Sequence, residues 1–199
     1  MYGVKIIKIN ERGATAMNDL EREKKKGLGF LYLLKAMFMR MKLGAKHQTP
    51  GFGLAGQLFA VMAKNIIERL GPEEGEKLLK KAVEEFGRER GGRIAGAVKA
   101  DGKPLSLRNW IIYTDISPEN FSVRPSFPAG DLEARVGACT FFHSAQKWGL
   151  GDFAKIYCKY ADYAILGGYN PDVKLVLKDR HAAGTDHCVF RYIMKEENK

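Results

Sequence analysis

The sequence predicts a single-domain α+β fold, in which N-terminal helices precede an antiparallel sheet with packed helices. Of the 199 residues, 45% are hydrophobic, which is enough for one sizeable core. Apolar residues recur at helical spacing in the first half of the chain, and short alternating segments with further helical patterns follow from Leu105. Helices at the front with strands and helices behind them are typical of the α+β class.

A basic arm of residues 1–50 is predicted to precede a domain of residues 51–199. Residues 20–48 hold eight bases and two acids, which is +6 of the net charge of +10. Residues 27–44 place apolar side chains at helical spacing beside bases, which predicts an amphipathic helix rather than a membrane span. This helix would pack on the domain, meet a partner subunit in a homo-oligomer or lie peripherally on an anionic membrane.

The cysteine count and the first residues indicate a cytoplasmic protein. Three cysteines cannot all pair within one chain, which fits a reducing compartment. Lys5 and Lys8 interrupt a very short apolar stretch, so no secretory signal is expected. The basic arm could attract nucleic acid, but its few aromatic residues and strong apolar stripe disfavour this.

Glycine and proline delimit two predicted helices after a break at residues 46–53. One face of the first helix is apolar, and Gly71-Pro72 ends it. Pro72 begins the second helix, which Gly91-Gly92 is expected to end, with residues 88–93 as a solvated basic last turn. The apolar face of the first helix consists of Leu54, Leu58, Val61, Met62, Ile66 and Leu70.

Alternating patterns predict strands at residues 110–113 and 121–127, and a C-terminal hairpin. Its strands would start near Val173 and Cys188, joined by a turn at residues 184–186. Between the two pairs, residues 139–148 have helical character. Asp152 is expected to cap a further helix that Gly167-Gly168 closes.

Cysteine, histidine and aspartate side chains that could take part in catalysis concentrate in the last third of the chain. The sequence contains no phosphate-binding glycine loop, nucleophile elbow or zinc-ribbon cysteine pair. Cys139 and His143 are four residues apart, as are Cys158 and Asp162, so each pair would share one helix face. Strand alternation would put His187 and Cys188 on opposite faces. Each of these residues could equally fill a core, and His181 and His47 are expected to be solvated.

Together these residues resemble the bacterial L-2-amino-thiazoline-4-carboxylic acid hydrolase family over residues 70–195. A more remote likeness is to four-vinyl-reductase-type ligand-binding domains. The sequence departs from the family pattern at Thr140, where a proline is expected. The motifs are Cys139-Thr-Phe-Phe-His143, Tyr157-Cys158, Asp162, Gly168-Tyr-Asn-Pro171 and Gly184-Thr-Asp-His-Cys188.

The resemblance implies a hydrolase that opens a cyclic amidine or isothiourea at a C–S or a C–N bond. In one mechanism Cys158 attacks as a thiolate, Lys155 or Lys159 lowers its pKa, and Asp162 or a histidine moves protons. In another, Cys139, Cys158 and Cys188 bind a zinc ion that activates water. The alternative function is a non-enzymatic module that binds a small ligand or a metal.

The same resemblance suggests which side chains would hold a small-molecule substrate. Arg191 or Arg135 would bind a substrate carboxylate through two parallel hydrogen bonds. The other candidate binding residues are Tyr157, Asn170 and Asp186.

Overall fold

A computed structural model describes residues 34, 35, 37, 38, 50–128 and 131–194. The chain divides into two units, Met1–Gln48 and Thr49–Lys199. In the first unit Leu34, Lys35, Met37 and Phe38 are helical, whereas the remainder of the predicted amphipathic helix and His47 lie outside the described residues. In the part of the chain that the structure describes, every helix is too short or too polar to span a bilayer.

The second unit confirms the α+β prediction, with five helices and one four-stranded antiparallel sheet among the described residues. The strand order is β1-β2-β4-β3. The largest fully buried side chains are Val98, Leu166 and Tyr169. The elements are α1 (Gly51–Leu70), α2 (Pro72–Ala100), α3 (Leu107–Tyr113), β1 (Phe121–Ser126), β2 (Leu132–Cys139), α4 (Thr140–Lys147), α5 (Gly151–Tyr169), β3 (Val173–Leu177) and β4 (Cys188–Met194), with short 3-10 turns at Pro118–Asn120 and His181–Ala183.

Helix α1 is present as predicted, but it turns its small residues inward. Gly71, at a φ of 80°, ends it and Pro72 begins α2. A Cβ at Gly56 would lie 2.3 Å from the carbonyl oxygen of Phe141, so only a glycine allows this approach. The predicted apolar face is consequently exposed except at Ile66, with Leu54 at 55% and Leu58 at 63%.

Helices α2 and α5 pack closely through glycines, and this packing contradicts one predicted helix end. Helix α2 runs past Gly91-Gly92 to Ala100, whereas α5 ends at Tyr169, directly after Gly167-Gly168, as predicted. A Cβ at Gly91 would lie 2.0 Å from the carbonyl oxygen of Ile165. Gly91 therefore serves close helix contact rather than helix termination.

We expect substitution of the two adjacent glycines of α2 to have opposite effects. Gly91→Ala should lower the free energy of unfolding by about 2 kcal/mol, because α5 has to move away from the new methyl group. Gly92→Ala meets nothing within 4 Å and should raise it by about 0.5–1 kcal/mol through helix propensity. Urea denaturation of both variants measures the difference, and equal effects would contradict the packing described.

The segment at residues 110–113 is helical, so the strand predicted there is wrong. Ser106 caps α3 by accepting a hydrogen bond from the Asn109 amide at 3.3 Å. Trp110 faces the Tyr169 ring, with 5.1 Å between ring centroids. The prediction that Asp152 caps α5 is also wrong, because Leu150 occupies the N-cap of this helix and Asp152 lies in its first turn.

The sheet brings two cysteines to one end. The predicted C-terminal hairpin is confirmed as β3 and β4, while β2 is a strand that the sequence pattern did not reveal. Strand β2 pairs antiparallel with β4, and Val136 lies opposite Cys188. Cys139, which ends β2, therefore lies at the same end of the sheet as Cys188, which begins β4.

Candidate active site

Three cysteines and one carboxylate gather where this end of the sheet meets α5. Cys158 and Asp162 lie one turn apart on α5. Cys139 and Cys158 pack against the same apolar cluster, and the Asp162 carboxylate acts on the pKa of all three thiols. The structure thus brings together four of the predicted site residues, here called the cysteine–aspartate cluster: Cys139, Cys158, Asp162 and Cys188.

Asp162 carries the unusual electrostatics of this cluster. Burial raises its pKa to about 6, although the Arg180 and Arg90 guanidinium groups oppose this shift. In the described part of the chain its carboxylate has no hydrogen-bond or ion-pair partner. A carboxyl group that titrates near pH 6 and is not committed to a partner can accept and return a proton at neutral pH.

The three thiols are protonated at neutral pH in this structure. Burial, reinforced by Asp162, raises the pKa of Cys158 well above the ordinary thiol value. Burial likewise raises the pKa of Cys139 to about 11, although the backbone amides at the start of α4 oppose the shift. Burial also raises the pKa of Cys188.

The expectation that a lysine lowers the pKa of Cys158 is therefore wrong. Lys155 is paired with Asp152, with 2.7 Å between its Nζ and the nearer carboxylate oxygen. Lys159 is paired with Glu76 across to α2, at 2.5 Å. The nearby positive charge that acts on Cys158 comes instead from Arg180.

The geometry does not fit the predicted zinc site on Cys139, Cys158 and Cys188. Within the ranges the structure describes, no three His, Cys, Asp or Glu side chains are placed to hold a metal ion.

Two histidines lie beside the cluster. The backbone amide of His181 donates to the Cys188 sulfur at 3.2 Å, and its ring lies 4.8 Å from that of His143. His181 is only 6% exposed and its buried Nε2 has no partner, so the prediction that it is solvated is wrong. Because His181 lies beside Arg180 in a loop, no helix or strand periodicity could predict its burial. Burial and His181 lower the pKa of His143, which favours its neutral form.

Three predicted substrate-binding residues lie elsewhere. Asn170 donates to the carbonyl oxygen of Leu105 at 2.7 Å and stabilises the end of α5. Asp186 is exposed and contacts His187 and Arg135. Arg191 bonds Asp131, with 2.8 Å between Nε and Oδ2, and strand alternation places it on the face of β4 opposite Cys188.

An aromatic cleft adjoins the cysteine–aspartate cluster. Its volume is about 640 Å³. Tyr157, a predicted binding residue, lies between the two sites, because it lines the cleft and its pKa responds to Asp162 and Cys158. Its ring centroid is 4.4 Å from that of Phe141 and 5.5 Å from that of Phe59. The aromatic lining of the cleft consists of Phe52, Phe59, Phe86, Phe141 and Tyr157.

Arg90 links the cleft to the cluster, because it lines the cleft and acts on the pKa of Asp162; no sequence motif indicated this role. Its side chain is only 13% exposed, and Nε donates to both carboxylate oxygens of Asp115, at 2.9 and 3.0 Å. Burial opposes the charged form, but the bonds to Asp115 outweigh it and raise the pKa of Arg90. The solvated basic turn predicted for residues 88–93 is wrong at this position, because α2 continues and its inner face carries Arg90.

An α+β domain in which an aromatic cleft with a few polar groups adjoins titratable side chains has the features of a small-molecule site. The sequence model of the L-2-amino-thiazoline-4-carboxylic acid hydrolase family matches residues 52–192. The chain belongs to this family, which confirms the resemblance found in its motifs. No curated protein and no solved structure matches the chain.

Proposed function

We propose that this protein hydrolyses a cyclic isothiourea acid of the 2-amino-thiazoline-4-carboxylate type, with Cys158 as nucleophile and Asp162 as general base. Family membership supports the reaction class. The observation that carries the assignment of residues is Asp162, a carboxylate with a pKa of about 6 that lies one helical turn from a thiol and bonds no other side chain among the described residues. General bases work best when their pKa lies near the working pH.

The resting thiol is protonated, so a base has to act during the attack. As Cys158 Sγ forms a bond to the carbon between the ring sulfur and the nitrogens, its proton passes to Asp162. The substrate aids this step, because a protonated amidine next to the thiol favours the thiolate.

The ring then opens and water completes the reaction. Collapse of the adduct breaks the ring C–S or C–N bond, and Asp162 returns its proton to the departing atom. Water next attacks the carbon bound to Sγ, again with Asp162 as base, and the thiol leaves with a proton. One water is added overall. Cleavage of C–S gives N-carbamoyl-cysteine, and cleavage of C–N gives S-carbamoyl-cysteine.

The surrounding groups support these proton transfers. Arg180 and Arg90 attract the ionised form of Asp162 and keep its pKa from rising further. The Arg180 side chain is held by Tyr163, whose hydroxyl oxygen accepts from Nη2 at 3.1 Å. We therefore propose that both arginines stabilise the negative charge of the Asp162 carboxylate.

We expect purified protein to convert 2-amino-thiazoline-4-carboxylate into a product one water heavier, scored by mass spectrometry. The pH profile of kcat/KM should fall below an apparent pKa of about 6, because protonated Asp162 cannot accept the thiol proton. A chelator should leave the rate unchanged. Absence of turnover between pH 5 and 9 would remove this substrate and favour a ligand-binding module.

A further inference from the structure

The aromatic cleft is larger than the substrate proposed above requires. A volume of about 640 Å³ lies within the range of about 300–1,000 Å³ in which proteins enclose drug-sized ligands. A 2-amino-thiazoline-4-carboxylate is a single five-membered ring with two small substituents. Most of the cleft would remain filled with water if this ring alone were bound.

The unfilled part of the cleft faces aromatic surface. Phe86 lines the cleft, is 52% exposed, and its ring centroid lies 6.4 Å from that of Tyr157. Phe59 and Phe141 continue this wall from α1 and α4. Such a wall gains most from an apolar or aromatic group that displaces water from it.

Charged groups of both signs line the same cleft. Arg90 is bonded to Asp115, whereas Arg93 is paired with Glu89 one turn earlier on α2, with 2.9 Å between Nε and Oε1. The Arg93 side chain is 79% exposed, so its pairing with Glu89 is weak and exchangeable. A substrate carboxylate can therefore replace Glu89 on Arg93 and form two parallel hydrogen bonds.

We propose that the natural substrate is a cyclic amidine or isothiourea acid bearing a bulky apolar or aromatic substituent, which binds against Phe86 while Arg93 takes the carboxylate. This inference rests on the proposed function, because it names the class of substrate whose ring would react at the cysteine–aspartate cluster beside the cleft.

The test compares kcat/KM for 2-amino-thiazoline-4-carboxylate and for its 5-phenyl derivative. We expect wild-type protein to favour the phenyl derivative by about tenfold, since burial of an aromatic group lowers the barrier by this order. Phe86→Ala should remove most of this preference. Leu78→Ala is the matched control, because Leu78 is 49% exposed on the same helix and does not line the cleft.

A second pair of variants tests the carboxylate. Arg93→Gln should raise the KM of both compounds by about tenfold through loss of a charge-assisted contact. Lys77→Gln removes a comparable surface pair, with Glu74 on the same helix, at a position outside the cleft, and should leave the KM unchanged.

The outcomes separate this inference from the proposed reaction. Turnover of both compounds at equal kcat/KM, with no effect of Phe86→Ala, would overturn the inference and leave the reaction standing. If neither compound is turned over, calorimetric titration with the phenyl derivative shows whether the protein still binds this class of ligand. Binding that Phe86→Ala weakens would support the ligand class and overturn the reaction, whereas absence of binding would overturn the inference as well.

Discussion

Asp162→Asn is expected to lower kcat by about a hundredfold to ten-thousandfold while leaving the fold intact. An amide has nearly the shape of the carboxyl group but cannot accept the Cys158 proton, so the full contribution of the general base is lost. The effect should fall on kcat rather than on KM, because Asp162 acts in the reaction and is not assigned to substrate binding. Steady-state rates with 2-amino-thiazoline-4-carboxylate measure it.

The same variant should be more stable than wild type at pH 8. Burial raises the pKa of Asp162 from 3.8 to about 6, so the folded state carries an ionised carboxylate that the unfolded state solvates better. The shift corresponds to about 2–3 kcal/mol of unfolding free energy. The difference should shrink as the pH falls through 6 and vanish below about pH 4, where wild-type Asp162 is neutral in both states.

Asp152→Asn is the matched control, because Asp152 lies on the same helix and its side chain is 85% exposed. It should change neither kcat nor the pH dependence of stability. Thermal unfolding of both variants at pH 4, 6 and 8 supplies the comparison. An Asp162→Asn protein that is less stable than wild type at pH 8 would show that the carboxylate has a structural partner, and would contradict its assignment as a free base.

The fold class was readable from the sequence because helix and strand periods are local signals. Glycine was the main source of error. Gly91 resembles a helix terminator, but it lies where α5 approaches too closely for a Cβ. Only the partner helix distinguishes these two roles, so local pattern cannot. The exposed apolar face of α1 has the same origin, since Gly56 directs packing to the opposite face.

The site was predictable in its residue types but not in its electrostatics. The i, i+4 spacing correctly placed Cys158 and Asp162 one turn apart on α5. A thiolate nucleophile also calls for a nearby positive group, for which Lys155 and Lys159 are the candidates in the sequence, but these lysines pair with Asp152 and Glu76. Arg90 acts from another helix, and its contribution depends on long-range packing.

Cys158→Ala should reduce turnover by a thousandfold or more if the thiol forms the covalent intermediate, since loss of a nucleophile is among the largest single effects in enzymes. Removing one partly buried sulfur should lower the free energy of unfolding by only about 1 kcal/mol. Cys139→Ala is the matched control. Cys139 belongs to the same apolar cluster but is assigned no bond to substrate, so we expect a loss of less than about tenfold.

The comparison with Asp162→Asn decides which atom attacks. In the proposed mechanism both variants lose most of their turnover, and rapid acid quenching of wild type traps substrate mass on the peptide that contains Cys158. If Asp162 instead activated water directly, Cys158→Ala would keep most of its turnover, Asp162→Asn would not, and no adduct would form. The raised pKa values of Cys158 and Asp162 separate attack by the thiol from attack by water, because a protonated thiol attacks only when Asp162 takes its proton.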